Sequence, residues 1–417
     1  MKQSKPTTLV LALSIFFSTG LLISTNALAM SDENCMECHG DPDLTTERDG
    51  KEINLFVDYD TFKGTIHAEE GCVFCHEEAD VKEGDEHPIS MPAVKCGNCH
   101  EEIFKTYSNS MHGKAQMEGG VMLTPKCYHC HSKHAIFPPS DERSTTYPLN
   151  IPTTCGACHR EGSKVIKERR IGQRNIVKNY SMSIHGRGLN EDGLIVTATC
   201  SSCHNSHDIQ KADNPKSSVN RNNINETCNR CHVGIVNKFK LSVHSPKVTK
   251  TDKKLPVCID CHSSHQINRV IDKDFRRNIV SQCSDCHTYE SETYFKTFHG
   301  RAGMLLGGEK SAFCSDCHGA HDIYHSSDTK SRMHEDNIVT TCSKCHPKAT
   351  KNFTEYLTHA NHHDKDKYPV LFYSFWCMTG LLVGSFGFFG LHTFLSIPRS
   401  TIEYFQLRRK KKKNQIS

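Results

Sequence analysis

Eleven times along this chain, two cysteines flank two other residues and a histidine follows directly. The stretches are CMECH, CVFCH, CGNCH, CYHCH, CGACH, CSSCH, CNRCH, CIDCH, CSDCH, a second CSDCH, and CSKCH. Their cysteines are Cys35 and Cys38, Cys72 and Cys75, Cys96 and Cys99, Cys127 and Cys130, Cys155 and Cys158, Cys200 and Cys203. The series continues with Cys228 and Cys231, Cys258 and Cys261, Cys283 and Cys286, Cys314 and Cys317, and Cys342 and Cys345. The adjacent histidines are His39, His76, His100, His131, His159, His204, His232, His262, His287, His318 and His346. Of the 23 cysteines only Cys377 is left over.

Several chemistries use paired cysteines. Disulfides suit exported chains but do not require a histidine after each pair. Structural zinc takes four ligands, commonly two cysteine pairs or one pair with a distant histidine pair. Iron–sulfur clusters take thiolates, and a thioredoxin-like CxxC belongs to a βαβ unit. C-x-x-C-H is the attachment sequence of c-type haem. Two thiols one helical turn apart reach two vinyl carbons of a porphyrin, and the next residue offers its imidazole to the iron. The spacing predicts eleven covalently attached c-type haems, held by the cysteines above, with the adjacent histidines as proximal ligands.

The other histidines form two patterns. His67, His112, His185, His244, His299 and His359 each lie beyond a motif, in four cases 12 or 13 residues after its histidine. His134, His207, His265 and His321 extend every second motif to CxxCHxxH. A haem iron takes its axial ligands on opposite faces. A histidine three residues past the proximal one starts on the wrong side of its own ring, and is expected to ligate a neighbouring haem. For His321 the expected neighbour is the haem at Cys283 and Cys286. The longer tether of the other set lets it reach its own haem or the next. Ten distal candidates serve eleven sites, and His87, after the irregular CHEEAD stretch, is the first choice for the eleventh.

These sites need elements that position them, and the sequence repeats on that scale. Odd motifs start at 35, 96, 155, 228, 283 and 342, a period of 55 to 73 residues. Asn-Ile precedes the last four, which reads as a helix start with Asn as its cap. This is an array of di-haem modules, five complete and one half. Only 36% of residues are hydrophobic. The expected fold is therefore mostly α with long loops, an extended array in which stacked haems form the core, plus one C-terminal transmembrane helix.

Residues 1–29 have the layout of a signal peptide, with Lys2 and Lys5, an apolar run and Ala27-Leu28-Ala29. Residues 30–368 form the haem domain, 369–398 the spanning helix, and 399–417 a basic tail. The uncharged run from Val370 to Ile397 exceeds the roughly 20 residues a span requires. RRKKKK at 408–413 places the tail in the cytoplasm and the haem domain in the periplasm. Without the two ends, 42 positive residues face 46 negative ones, a net −4 that offers nucleic acid no basic face. His392, inside the apolar run, is a candidate for a b-type haem shared with a partner or for a quinone. THANHHDKDK, just outside the membrane, reads as a lining for quinol or as a solvated linker.

The repeated CxxCH and CxxCHxxH motifs and the intervening segments ending in His-Gly resemble the multihaem c-type cytochromes of respiring Gram-negative bacteria. The resemblance covers residues 35–359. It implies an inner-membrane-anchored electron carrier between the quinone pool, or a cytochrome b or quinol-oxidising membrane subunit, and soluble or outer-membrane cytochromes. The alternative is a reductase or oxidase of nitrogen or sulfur compounds with one open haem. No CxxCK motif favours it.

Overall fold

The computed structural model describes residues 31–414 except 49, 82–84, 118–122, 169–172, 306–310 and 358. The expected signal peptide lies outside the described residues. The chain is mostly helical, 49% helix, and forms two compact units, one ending at Asn150 and one starting at Ile151. The boundary falls at an Asn-Ile step, between two repeats.

Odd and even motifs are built differently. The last four odd motifs lie at the end of a helix that begins upstream: Ile151–His159, Ile224–Asn229, Lys273–Ser284 and Ile338–Ser343. The odd motif at Cys96 opens its own 3₁₀ turn, Cys96–Asn98. An even motif is a helix of one turn on its own: Cys127–His131, Cys200–His204, Cys258–His262 and Cys314–His318. So short a helix is not stable alone, and its start is fixed locally. The residue before the first cysteine is extended, and its N–H donates to the side chain at the third helical position. The acceptors are His129 Nδ1 (2.9 Å), Ser202 Oγ (3.1 Å), Asp260 Oδ2 (2.7 Å) and Asp316 Oδ2 (2.8 Å).

The Asn-Ile pairs differ from expectation. Asn150, Asn223 and Asn337 precede their helices, but Asn223 and Asn337 make no side-chain cap bond. Each of the three amides instead donates backward to two carbonyls of the preceding loop: Glu142 and Ser144, Pro215 and Ser217, Thr329 and Ser331. An amide has donors to spare, so it staples that loop where a capping oxygen would only accept. Asn278 lies inside its helix, which starts at Lys273.

Two short strands, Thr45–Arg48 and Lys51–Asn54, pair antiparallel, registered Thr45 to Asn54.

Among the described residues only eleven apolar side chains are buried. Val280, Tyr294 and Phe313 form one small cluster. Side chains of this chain alone do not supply an ordinary core.

The last helix, Pro369–Lys413, has 45 residues and is long and apolar enough to cross a membrane. It runs past Pro398, further than the expected span, so most of the basic tail is helical. Pro398 leaves the Phe394 carbonyl without its helical donor; just beyond it the hydroxyls of Ser400 and Thr401 both donate to the Ile397 carbonyl, at 3.0 and 2.6 Å.

Candidate haem-ligand sites

Three recurring devices place the second set of histidines. In the first, Ser110, Ser183 and Thr297 cap the turn that carries His112, His185 and His299, accepting from the N–H of Gly113, Gly186 and Gly300 at 3.0–3.1 Å. The glycine is required: a Cβ on Gly186 would stand 2.0 Å from the Tyr180 carbonyl oxygen. In the second, Tyr107, Tyr180 and Tyr294 donate to the carbonyls of Pro125, Ala198 and Ala312, two residues before an even motif. This ties the histidine-bearing turn to the next attachment site.

The third device is a chain reversal after the even motif. Ser132, Asn205 and Ser263 have φ of 69°, 62° and 61°, and Gly319 has 87°. With ψ near 180°, this region is almost confined to glycine and costs of order 1–3 kcal/mol for other residues. These four are the residues that follow the motif histidine in CxxCHxxH. At the motif without a third histidine, His76 has φ −109° and Glu77 opens a 3₁₀ turn. The reversal swings the third histidine away from its own motif.

The outcome is a set of facing imidazoles. In the first unit the ring centres of His39 and His87 stand 6.1 Å apart, those of His100 and His67 6.0 Å, and those of His76 and His134 6.2 Å. In the second unit His232 faces His185 (6.1 Å), His204 faces His265 (6.1 Å) and His287 faces His244 (6.1 Å). There also His262 faces His321 (5.9 Å), His346 faces His299 (6.0 Å) and His318 faces His359 (6.2 Å). His112 and His131 belong to the first unit, His159 and His207 to the second, and all four have interactions of their own.

Within these pairs an order holds. An odd-motif histidine is faced by the mid-interval histidine of the module before it. An even-motif histidine is faced by the third histidine of the next even motif. Neighbouring modules thus exchange one histidine in each direction. The two exchanged segments are bonded to each other: Ile66 N–H to Ile136 O (3.1 Å), Ile184 to Ile267 (2.7 Å) and Val243 to Ile323 (2.8 Å).

The order differs from one expectation. His321 faces His262, not His287, because the reversal at Gly319 sends it back to the preceding even motif. His87, whose haem the sequence left open, faces His39, and the partner of His76 is His134. The array ends are closed irregularly, by His87 at one end and His359 at the other.

Where the outward ring nitrogen is bonded, it points away from the facing partner. His39 Nδ1 donates to Leu55 O just after the second strand, at 2.9 Å. His265 Nδ1 bonds Gln173 Oε1. His359 Nδ1 lies 3.0 Å from Glu290 O and 3.1 Å from Thr293 Oγ1. Such bonds leave Nε2 with a free lone pair, as a ligand needs. Burial holds His76, His134, His185, His204, His244, His262, His265, His299, His318 and His321 below the usual imidazole range, hence neutral.

The cysteines also fall into an order. The first cysteines of a module lie in side-chain hydrogen-bond reach of each other: Cys35 and Cys72, Cys96 and Cys127, Cys155 and Cys200, Cys228 and Cys258, Cys283 and Cys314. The second cysteine of an even motif instead interacts with both cysteines of the next odd motif: Cys75 with Cys96 and Cys99, Cys203 with Cys228 and Cys231. Cys261 with Cys283 and Cys286, and Cys317 with Cys342 and Cys345, do the same. Within each unit the motifs therefore follow one another without a gap.

This arrangement fits haem. Two imidazoles on opposite sides of one ion, each bonded at about 2 Å with its ring centre about 1 Å further out, stand about 6 Å apart. Among the described residues no three His, Cys, Asp or Glu side chains converge on a bare metal site. The facing donors come in twos, a number that a macrocycle with four donors of its own would complete. Cys261, His262 and Gln282 line an open cavity of roughly 370 Å³. Gln282 Oε1, with Arg269 Nε, Arg277 Nε and Asn229 Oδ1, is buried without a hydrogen-bond partner. Haem would fill such space.

Of the remaining histidines, His129 caps its own motif. His325 bonds Ser327 Oγ at 2.8 Å and His334 pairs with Asp336 at 3.3 Å. His392 lies on the long C-terminal helix, where its carbonyl accepts from Ser396 Oγ at 2.8 Å. No family model, no curated protein and no solved structure matches this chain.

Proposed function

We propose that this chain is a membrane-anchored undecahaem c-type cytochrome, an electron carrier in respiration. The observation that carries the reading is the ordered set of facing histidines about 6 Å apart, each including the histidine of a CxxCH motif. The motif cysteines would hold the porphyrin and the motif histidine would ligate its iron. The distal position falls to His67, His87, His134, His185, His244, His265, His299, His321 and His359 at nine sites, with His112 and His207 completing the eleven. The bound iron supplies one-electron redox chemistry. The protein's part would be to supply two imidazoles to each iron, which suits electron transfer better than substrate binding. Stacked haems then take the place of the missing apolar core.

The anchor and the basic tail support an inner-membrane protein with its haem domain in the periplasm and its C-terminus in the cytoplasm. Electrons pass between the quinone pool, or a cytochrome b partner, and soluble or outer-membrane cytochromes. Pyridine haemochrome quantitation and intact mass of the purified full-length protein test the core of this reading. The expected result is eleven c-type haems per chain. Zinc or disulfides in place of haem would overturn it.

A further inference from the structure

The rings of His204 and His265 face each other with their planes 7° apart, the smallest angle among the facing pairs described, which otherwise run from 15° to 67°. An imidazole on a metal turns at little cost about the metal–nitrogen bond, so whatever holds its other nitrogen decides the plane. At His265 that partner is Gln173, 92 residues away in sequence. Gln173 Oε1 accepts from His265 Nδ1, and Gln173 Nε2 reaches Ser264 Oγ at 3.5 Å. One amide thus holds both the ring and the residue before it. Gln173 stands just ahead of the helix Ile176–Met182, whose Tyr180 donates to the Ala198 carbonyl beside the Cys200 motif. The glutamine therefore belongs to the module that carries Cys200 and Cys203, whereas His265 arrives from the next one. Gln173 is exposed, so packing does not account for it.

We propose that Gln173 is a positioning residue, which holds the incoming His265 ring parallel to His204 and makes it a stronger donor to the haem iron at Cys200 and Cys203. The proposal rests on the electron-carrier reading and goes beyond it by setting the potential of one particular haem. Two parallel imidazoles donate into the same iron d orbital and separate it from its neighbour in energy. Such an iron gives a rhombic low-spin EPR signal. Crossed rings leave the two orbitals close together and give a broad signal with one large g value. An acceptor at Nδ1 also pushes electron density toward Nε2, which favours ferric over ferrous iron and lowers the potential.

The test uses the full-length haem-loaded protein with Gln173→Leu, which removes the acceptor, and with Gln173→Glu, which supplies a charged and stronger one. EPR, haem count and a redox titration are run on each. In Gln173→Leu one haem in eleven should leave the rhombic signal and titrate at higher potential. In Gln173→Glu the rhombic signal should stay and the same haem should titrate at lower potential. Adding Cys200→Ser and Cys203→Ser, which delete that haem, should abolish both differences. No change in Gln173→Leu, potential shifts of the same sign in the two variants, or a haem lost from both would overturn the assignment. If the unaltered protein holds its haems and these changes are absent, this inference alone fails; if it holds none, the carrier reading fails first.

Discussion

Cys283 closes a twelve-residue helix, Lys273–Ser284, whereas Cys314 opens a helix of one turn after the extended Phe313. Both belong to the same five letters, CSDCH. The aspartates differ accordingly. Asp316 accepts the Phe313 N–H at 2.8 Å and pairs with Arg276 from the helix that carries Cys283. Asp285 is the C-cap residue of that helix. After the motif, Thr288 continues into another helix, while Gly319 at φ 87° reverses the chain and delivers His321 to His262. His287 receives His244 instead. Identical attachment letters thus serve two roles, and the residues on either side decide which. An odd motif takes its second histidine from the module before it, an even motif from the one after.

The largest test removes one site of the pair. Cys314→Ser with Cys317→Ser should leave ten haems by intact mass and haemochrome, with the partner at Cys283 and Cys286 retained. Next, His321→Ala should open one iron and yield a high-spin ferric signal of one haem in eleven. Combined with Cys258→Ser and Cys261→Ser, which delete the haem facing His321, that signal should vanish. Combined with Cys283→Ser and Cys286→Ser it should persist. The opposite pattern would restore the pairing expected from sequence.

Smaller effects probe the scaffold. Gly319→Ala puts a side chain where φ is positive and should cost about 1–3 kcal/mol in denaturant unfolding, with Asn205→Gly neutral or mildly stabilising at the matching position. Asp316→Ala should cost about 1 kcal/mol through the lost cap, and Asp285→Ala close to nothing. Equal losses at the two aspartates would mean that the two motifs are not built differently.

Part of the histidine arrangement was legible in the letters: the alternation of HxxH and mid-interval histidines marked both second sets. The partners were not legible, because they depend on backbone direction. Ser132, Asn205 and Ser263 carry no composition signal for a positive φ, so the reversal that sends His134 and His265 to the preceding even motif is visible only in three dimensions. His87 is a similar case: it lies near Cys75 in sequence, yet the chain leads it to His39. The stapling role of Asn223 shares its residue type and position with a cap and differs only in which amide atom is used. The long final helix was legible from its hydropathy, but its continuation past Pro398 was not.

The central claim is that every haem iron in this chain is closed by two histidines. EPR of the fully oxidised, full-length protein tests it most directly. The account predicts low-spin ferric signals integrating to all eleven haems, with no axial high-spin feature. A high-spin signal amounting to one haem in eleven or more would contradict it and turn attention to a chain with an open, substrate-binding iron.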